Sequence, residues 1–178
     1  MNLLQKFLAL AFFSIVLATI PDVEADKEPI WSWSSSSPVT NVEISSDSMN
    51  ISATYGQSVS LWKNSTSSPY NTKTLSQGIR YMEMSSDGAF VLTGEETNKL
   101  TLWQEGTKVW DKGGFLSGLY GIDISSDGSN ITAVDRRNVY FFDKGSSSEV
   151  WNENFATQEM STVTISPDGR YIAAGTFD

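Results

Sequence analysis

The chain is expected to be all-β, a tandem array of short antiparallel strands, and three observations carry that expectation. The phrase Val42-Glu43-Ile44-Ser45-Ser46-Asp47 returns as Met82-Glu83-Met84-Ser85-Ser86-Asp87, as Ile122-Asp123-Ile124-Ser125-Ser126-Asp127 and as Val163-Thr164-Ile165-Ser166-Pro167-Asp168. Each phrase runs into turn residues and then into further short alternating segments. One of those segments is apolar on both faces in every complete repeat. A period of about 40 residues filled with short strands points to the blades of a β-propeller.

The third repeat shows the unit most clearly. Leu119 to Ser125 alternates as a first strand (a) and residues 126–129 form a turn; Asn130 to Asp135 is a second strand (b), and Asn138 to Asp143 a third (c). Residues 144–148 then turn into a fourth strand (d) beginning at Glu149. The Asp of each a–b turn accepts hydrogen bonds from turn N–H groups, and the Gly after it takes the left-handed position without steric cost. Ser48 replaces that Gly in the first repeat, at a strain of about 1 kcal/mol or with a modified turn.

Strand c explains why the units must stack. Its faces read Val59 and Leu61 against Ser60 and Trp62, then Leu100 and Leu102 against Thr101 and Trp103, then Val139 and Phe141 against Tyr140 and Phe142. A strand apolar on both sides needs a cover on both sides, so each sheet is expected between two others. Tyr70, Trp110 and Trp151 recur at strand d and read as wedges between sheets. Ile30 to Ser34, with Trp31 and Trp33, reads as an isolated strand d ahead of the first complete unit.

The resulting layout is a leader at 1–25, a segment at 26–38 holding that isolated strand, and blades at about 39–78, 79–118, 119–159 and 160–178. Three blades are complete and the fourth stops after strand b. Since propellers close with about 4 to 8 blades, the ring is incomplete and the chain reads as the N-terminal part of a longer protein. The leader follows from Lys6, an apolar run over residues 7–20 and the small-residue pattern Val23-Glu24-Ala25, which together describe a helical signal peptide cleaved after Ala25. The run is shorter than the ~20 residues of a spanning helix, so no membrane insertion is expected after cleavage.

Composition narrows the function. Taking Lys6, Asp22 and Glu24 from the 12 basic and 21 acidic residues leaves 11 and 19, a net charge of −8 that disfavours nucleic acid. The chain has neither Cys nor His, which removes disulfides, the commonest general base and the commonest transition-metal ligand. No catalytic residues are assigned and no cofactor is expected. Glu95, Glu96 and Asp135 are the carboxylates a glycosidase-type mechanism would use, yet acidic residues in hairpin turns are normally solvated. Asp47, Asp87, Asp127 and Asp168 each stand alone among serines rather than converging as calcium ligands do, so no metal site is expected.

The phrase Ile165-Ser166-Pro167-Asp168-Gly169-Arg170-Tyr171-Ile172-Ala173-Ala174-Gly175 resembles the a–b hairpin of WD40-type propellers, and Leu100-Thr101-Leu102-Trp103 resembles their strand c. Val139 to Gly145, followed by Val150-Trp151, is similar to quinoprotein-like blades. The resemblance covers about 140 residues, at the repeat length those families share. It departs from WD40 blades in having no Gly-His pair, and an Asp after the strand-c aromatic occurs only at Asp143. Blades held mainly by apolar packing, without a buried polar network, are the expectation that follows.

Three Asn-x-Ser/Thr sequons, at Asn50, Asn64 and Asn130, are glycosylation candidates; Asn50 and Asn130 follow a–b turns and Asn64 lies in a c–d turn, which places all three on one rim. The opposite rim, of d–a and b–c loops, carries Glu95, Glu96, Phe115, Asp135, Arg136, Arg137 and Phe155, a mixed set suited to binding a protein or glycan. The expected function is that of a secreted or cell-surface, non-enzymatic interaction scaffold. An exported propeller enzyme with its catalytic residues elsewhere, and a surface-layer or adhesion component, are the alternatives.

Overall fold

In the computed structural model, residues 14–17 and 29–177 are described. Every regular element among them is a strand. Ser14–Leu17 (β1) pairs antiparallel with Trp31–Ser34 (β2). Val39–Ile44 (β3), Asn50–Tyr55 (β4), Ser58–Lys63 (β5) and Asn71–Thr74 (β6) form sheet one. Ile79–Met84 (β7), Phe90–Glu95 (β8), Lys99–Gln104 (β9) and Thr107–Lys112 (β10) form sheet two. Gly121–Ile124 (β11), Asn130–Val134 (β12), Asn138–Asp143 (β13) and Glu149–Asn154 (β14) form sheet three. Met160–Ile165 (β15) and Ile172–Thr176 (β16) are the a and b strands of a fourth.

Each four-stranded sheet is an antiparallel meander in chain order, as loops of a few residues require. The expected leader lies largely outside the described residues. Its described part, β1, is a strand rather than the expected helix, and its Ile15-Val16 core is β-branched sequence that suits extended backbone.

The stacking rests on strand c. Trp62 and Phe142 are fully buried and Trp103 nearly so, each directly opposite the second residue of strand b: Ile51, Val91 and Ile131. Val91 and Trp103 face Val59 and Leu61 of sheet one. On the other face of sheet two, Leu100 and Leu102 meet Ile131 and Phe142 of sheet three. Trp31 and Trp33 cover Ile51 and Trp62 in the same way, and the Trp31 indole donates to the Asn64 carbonyl at 2.8 Å. Trp110 does the equivalent between sheets two and three, donating to the Lys144 carbonyl at 2.9 Å. The wedge role expected of Tyr70 and Trp151 does not hold, since both are largely exposed. Tyr70 precedes β6 and lies under the Lys63 ammonium.

The a–b turns are joined directly. Ser46 N–H donates to Ser86 O at 2.8 Å, Ser86 N–H to Ser126 O at 2.9 Å, and Ser126 N–H to Pro167 O at 3.0 Å. Within each turn the first serine hydroxyl donates to the Asp carboxylate, at 2.6 to 2.8 Å in all four repeats. That carboxylate also accepts the N–H two residues on, which is the turn role expected of it. Ser48 keeps the turn unchanged by adopting φ 62°. At Gly128, with φ 70°, the Phe90 ring of the preceding sheet lies where a side chain would stand, so glycine is needed there for space as well as for backbone angle.

Polar groups are thus more deeply involved than expected. Ser52, Thr54, Ser60, Thr93, Thr101 and Thr132 are buried on strands b and c. The Trp103 indole donates to Thr93 Oγ1 at 2.9 Å, and the Tyr55 and Ser60 hydroxyls share a hydrogen at 2.7 Å. The sheets are held by apolar packing together with local hydrogen bonds among buried Thr, Ser and Trp side chains, while the buried Ser52 hydroxyl has no partner among the described residues.

Candidate functional site

The b–c turn of sheet three is built around Asp135, which is fully buried. Its carboxylate accepts from Leu116 N–H at 2.8 Å, Arg137 N–H at 2.9 Å, Asn138 N–H and Nδ2 at 2.8 Å each, and the Tyr140 hydroxyl at 2.6 Å. Burial pushes its pKa up, but the bonds from Tyr140 and the backbone outweigh that and hold it below the usual carboxylate value. Burial and the Asp135 charge drive the Tyr140 hydroxyl upward in turn. Phe115 is buried edge-on to Tyr140 at 5.1 Å. The d–a loop is therefore clamped onto the b–c turn through both residues.

What remains open on this corner is narrower than the expected rim. Arg137 is exposed and its carbonyl accepts Phe155 N–H at 2.7 Å, which places Phe155 beside it. Arg136 is half-buried and forks onto Glu159, with Nε to Oε1 at 2.8 Å. Glu96 is exposed on the neighbouring corner and lies over Gly78. Glu95, Phe115 and Asp135 belong to the interior: Glu95 is buried near Lys99, 3.7 Å away, and accepts a 3.4 Å bond from Thr101 Oγ1. The expected binding set thus divides into an outer part, Glu96, Arg136, Arg137 and Phe155, and an inner part that shapes the corners.

Asn50 and Asn130 open β4 and β12 directly after the a–b turns, and Asn64 lies in the c–d turn of sheet one. Asn50 is engaged with the next sheet, its Nδ2 donating to Asp87 O at 3.1 Å and its Oδ1 accepting from Lys63. Asn130 packs on Gly169 in the same manner. Asn64 places its Nδ2 near the Met49 sulfur at 3.5 Å.

Two features escaped notice in the sequence. The first is a row of acids on strand a: Glu43, Glu83 and Asp123 occupy one repeat position, and β3, β7 and β11 are neighbours. Asp123 is satisfied by Thr164 Oγ1 at 2.7 Å and Ile165 N–H at 2.8 Å. Glu83 sits between the other two, and burial, then Glu43 and Asp123, raise its pKa to about 7; burial also raises Glu43. Their even spacing was the available signal. Among the described residues no cluster of acidic groups is arranged to hold a metal ion.

Because the folded pKa of Glu83 exceeds its ordinary value of 4.5, the folded state holds the extra proton and stability declines as pH rises from about 4.5 to about 7. Glu83→Gln is expected to remove that decline and to stabilise the protein at pH 8 by about 1 kcal/mol after allowance for solvent screening. Urea midpoints at pH 5 and pH 8 measure it. A variant with the wild-type pH dependence would show that Glu83 ionises normally.

The second feature is a groove of about 630 Å³ between sheet three and β16, lined by Val139, Phe141, Trp151, Phe155, Ile172 and Ala174. Phe141 and Trp151 stack in it with centroids 6.0 Å apart.

Compared with known proteins, the chain matches no family model and no curated relative. The functional reading therefore rests on the geometry above and on the repeat pattern.

Proposed function

We propose that this chain belongs to an exported β-propeller that works as a non-enzymatic interaction scaffold for a protein or glycan partner. Strands a run side by side through the Ser46–Ser86–Ser126–Pro167 bonds while the d strands lie at the far side of each sheet, the arrangement propeller blades take around an axis. The repeat length and the WD40-like and quinoprotein-like phrases favour the same architecture. Removal of residues 1–25 would take β1 away and leave β2 held by Trp31 and Trp33 on sheet one.

The observation that carries the functional reading is the sheet-three corner. Asp135 spends its acceptor capacity on five donors, so it is a brace, not a general acid or base. That brace fixes a loop pair whose outer face presents Arg137 and Phe155, with Arg136 bound to Glu159 beside them. Rigid loops bearing an exposed aromatic and guanidinium groups suit recognition of a partner surface.

The test is quantitative. Once a partner has been identified by cross-linking and mass spectrometry, Phe155→Ala and Arg137→Ala are each expected to weaken its binding at least tenfold by calorimetry, with the fold unchanged by circular dichroism. Unchanged affinity in both variants would overturn the assignment of this face.

A further inference from the structure

Sheets one and two meet along a polar groove of about 410 Å³, and both of its walls belong to complete four-stranded sheets. One wall is Lys73, Thr74 and Ser76, on and just after β6. The other is Lys99 of β9 with Thr107 and Lys108 of β10. Three lysines thus converge on one groove in a chain whose net charge is −9, so the local charge is the reverse of the molecule's.

The next junction in the repeat shows what has been exchanged here. Lys73 and Lys112 hold one position of strand d, opposite Val59 and Leu100, and Lys108 and Glu149 hold another, opposite Trp103 and Phe142. Between sheets two and three, Lys112 and Glu149 form an ion pair across the junction at 2.9 Å. Between sheets one and two the same two positions are both lysine, so an attraction is replaced by like charges. Asn71 likewise stands where Trp110 stands, opposite Leu61 and Leu102. It makes the equivalent bond, Nδ2 to Glu105 O at 3.3 Å where Trp110 Nε1 reaches Lys144 O at 2.9 Å, but with a much smaller side chain. The ion pair and the indole that span one junction are both replaced at the other.

Asp111 answers part of the charge, accepting from Lys108 Nζ at 2.7 Å and standing 3.2 Å from Lys99, which is also 3.7 Å from the buried Glu95. The Lys73 ammonium has no partner among the described residues. We propose that this groove binds an acidic saccharide, with a carboxylate or sulfate oxyanion between Lys73 and Lys108 and ring hydroxyls bonded to Thr74, Ser76 and Thr107. The oxyanion supplies the negative charge that Glu149 supplies at the next junction. The groove's volume falls within the range of small-ligand clefts, about 300–1,000 Å³. Its walls favour a polyhydroxylated ligand over an acidic peptide, whose apolar side chains would meet only Leu75 and Trp103. The site is separate from the sheet-three corner, and the inference goes beyond the scaffold reading by adding a ligand class.

The test uses the full chain and labelled probes: a heparin tetrasaccharide, a tetragalacturonate and a tetraglutamate peptide. Fluorescence anisotropy is expected to show saturable binding of a saccharide, with sulfate identified as the oxyanion if heparin alone binds and carboxylate if tetragalacturonate binds. The affinity should fall about tenfold with Lys73→Gln, which removes one charge-assisted bond. Lys108→Glu, which introduces the residue type of the next junction, should abolish binding. Both positions are exposed, and circular dichroism checks that the fold is kept. Lys144→Gln removes a charge on sheet three, away from the groove, and should leave the affinity unchanged.

Absence of saccharide binding, or equal loss with Lys73→Gln and Lys144→Gln, overturns the proposal. Tetraglutamate bound as tightly as the saccharides also overturns it, because the groove then reads charge alone and its occupant is an acidic peptide. Phe155→Ala and Arg137→Ala report on the sheet-three corner with its own partner, so failure there and failure at this groove are read separately.

Discussion

Trp62→Ala is expected to cost about 3–5 kcal/mol, enough to lower the thermal midpoint by about 10 °C in a domain of this size. Trp62 is fully buried, lies edge-on to Trp33 at 5.1 Å and closes a cluster with Ile51 and Ala53. Its indole donates to Ser67 O at 3.1 Å, which ties the c–d turn to the strand. Truncation leaves a cavity between β2 and sheet one and an unpaired carbonyl beside it. Trp151→Ala, at a site 43% exposed, is expected to change stability by less than about 1 kcal/mol. Urea denaturation compares the two directly, and equal effects would show that the sheets are not held together by their strand-c aromatics.

Asp135→Ala is expected to be as damaging, at about 3 kcal/mol or more. Three backbone N–H groups, the Asn138 amide and the Tyr140 hydroxyl would lose their acceptor in a buried corner, and an orphaned buried donor costs more than its bond contributed. The pH dependence adds an independent signature. The folded pKa of Asp135 lies below its ordinary value of 3.8, so its contribution is fully present above that value and disappears as acid takes the pH down through the folded pKa. Wild-type stability should therefore fall on acidification below about pH 4, and Asp135→Asn should flatten part of that fall. An acid limb identical in the variant would remove Asp135 from the set of stabilising carboxylates.

Much of the architecture was legible because each repeat writes the same instructions. The four Ser-x-Asp turns, the doubly apolar strand c, the start of β12 and both ends of β13 follow directly from residue type and alternation. The corners were harder to read. Glu95 and Asp135 look like solvated turn acids, and nothing local reveals that Leu116, 19 residues away, folds back onto Asp135. The spacing of Asp135, Asn138 and Tyr140 carries that meaning only once β12 and β13 are paired. Trp151 and Tyr70 misled for other reasons: a tryptophan at strand d is buried only where a neighbouring sheet reaches it, as at Trp110, and Tyr70 precedes β6, so that Asn71 holds the strand position equivalent to Trp151. The groove at Ile172 is invisible in sequence, since it is defined by what stands across from a strand.

The serine relay across the a–b turns gives the stack a polarity. Its amides point one way, from Ser46 toward Pro167, so their dipoles add along the array much as peptide dipoles add along a helix. Proline has no hydrogen to hand on, and Pro167 receives the last of these bonds without passing one forward. The spine that aligns the sheets therefore has its electrically negative end at Ser46, toward which the carbonyls point, and its last link at the fourth turn.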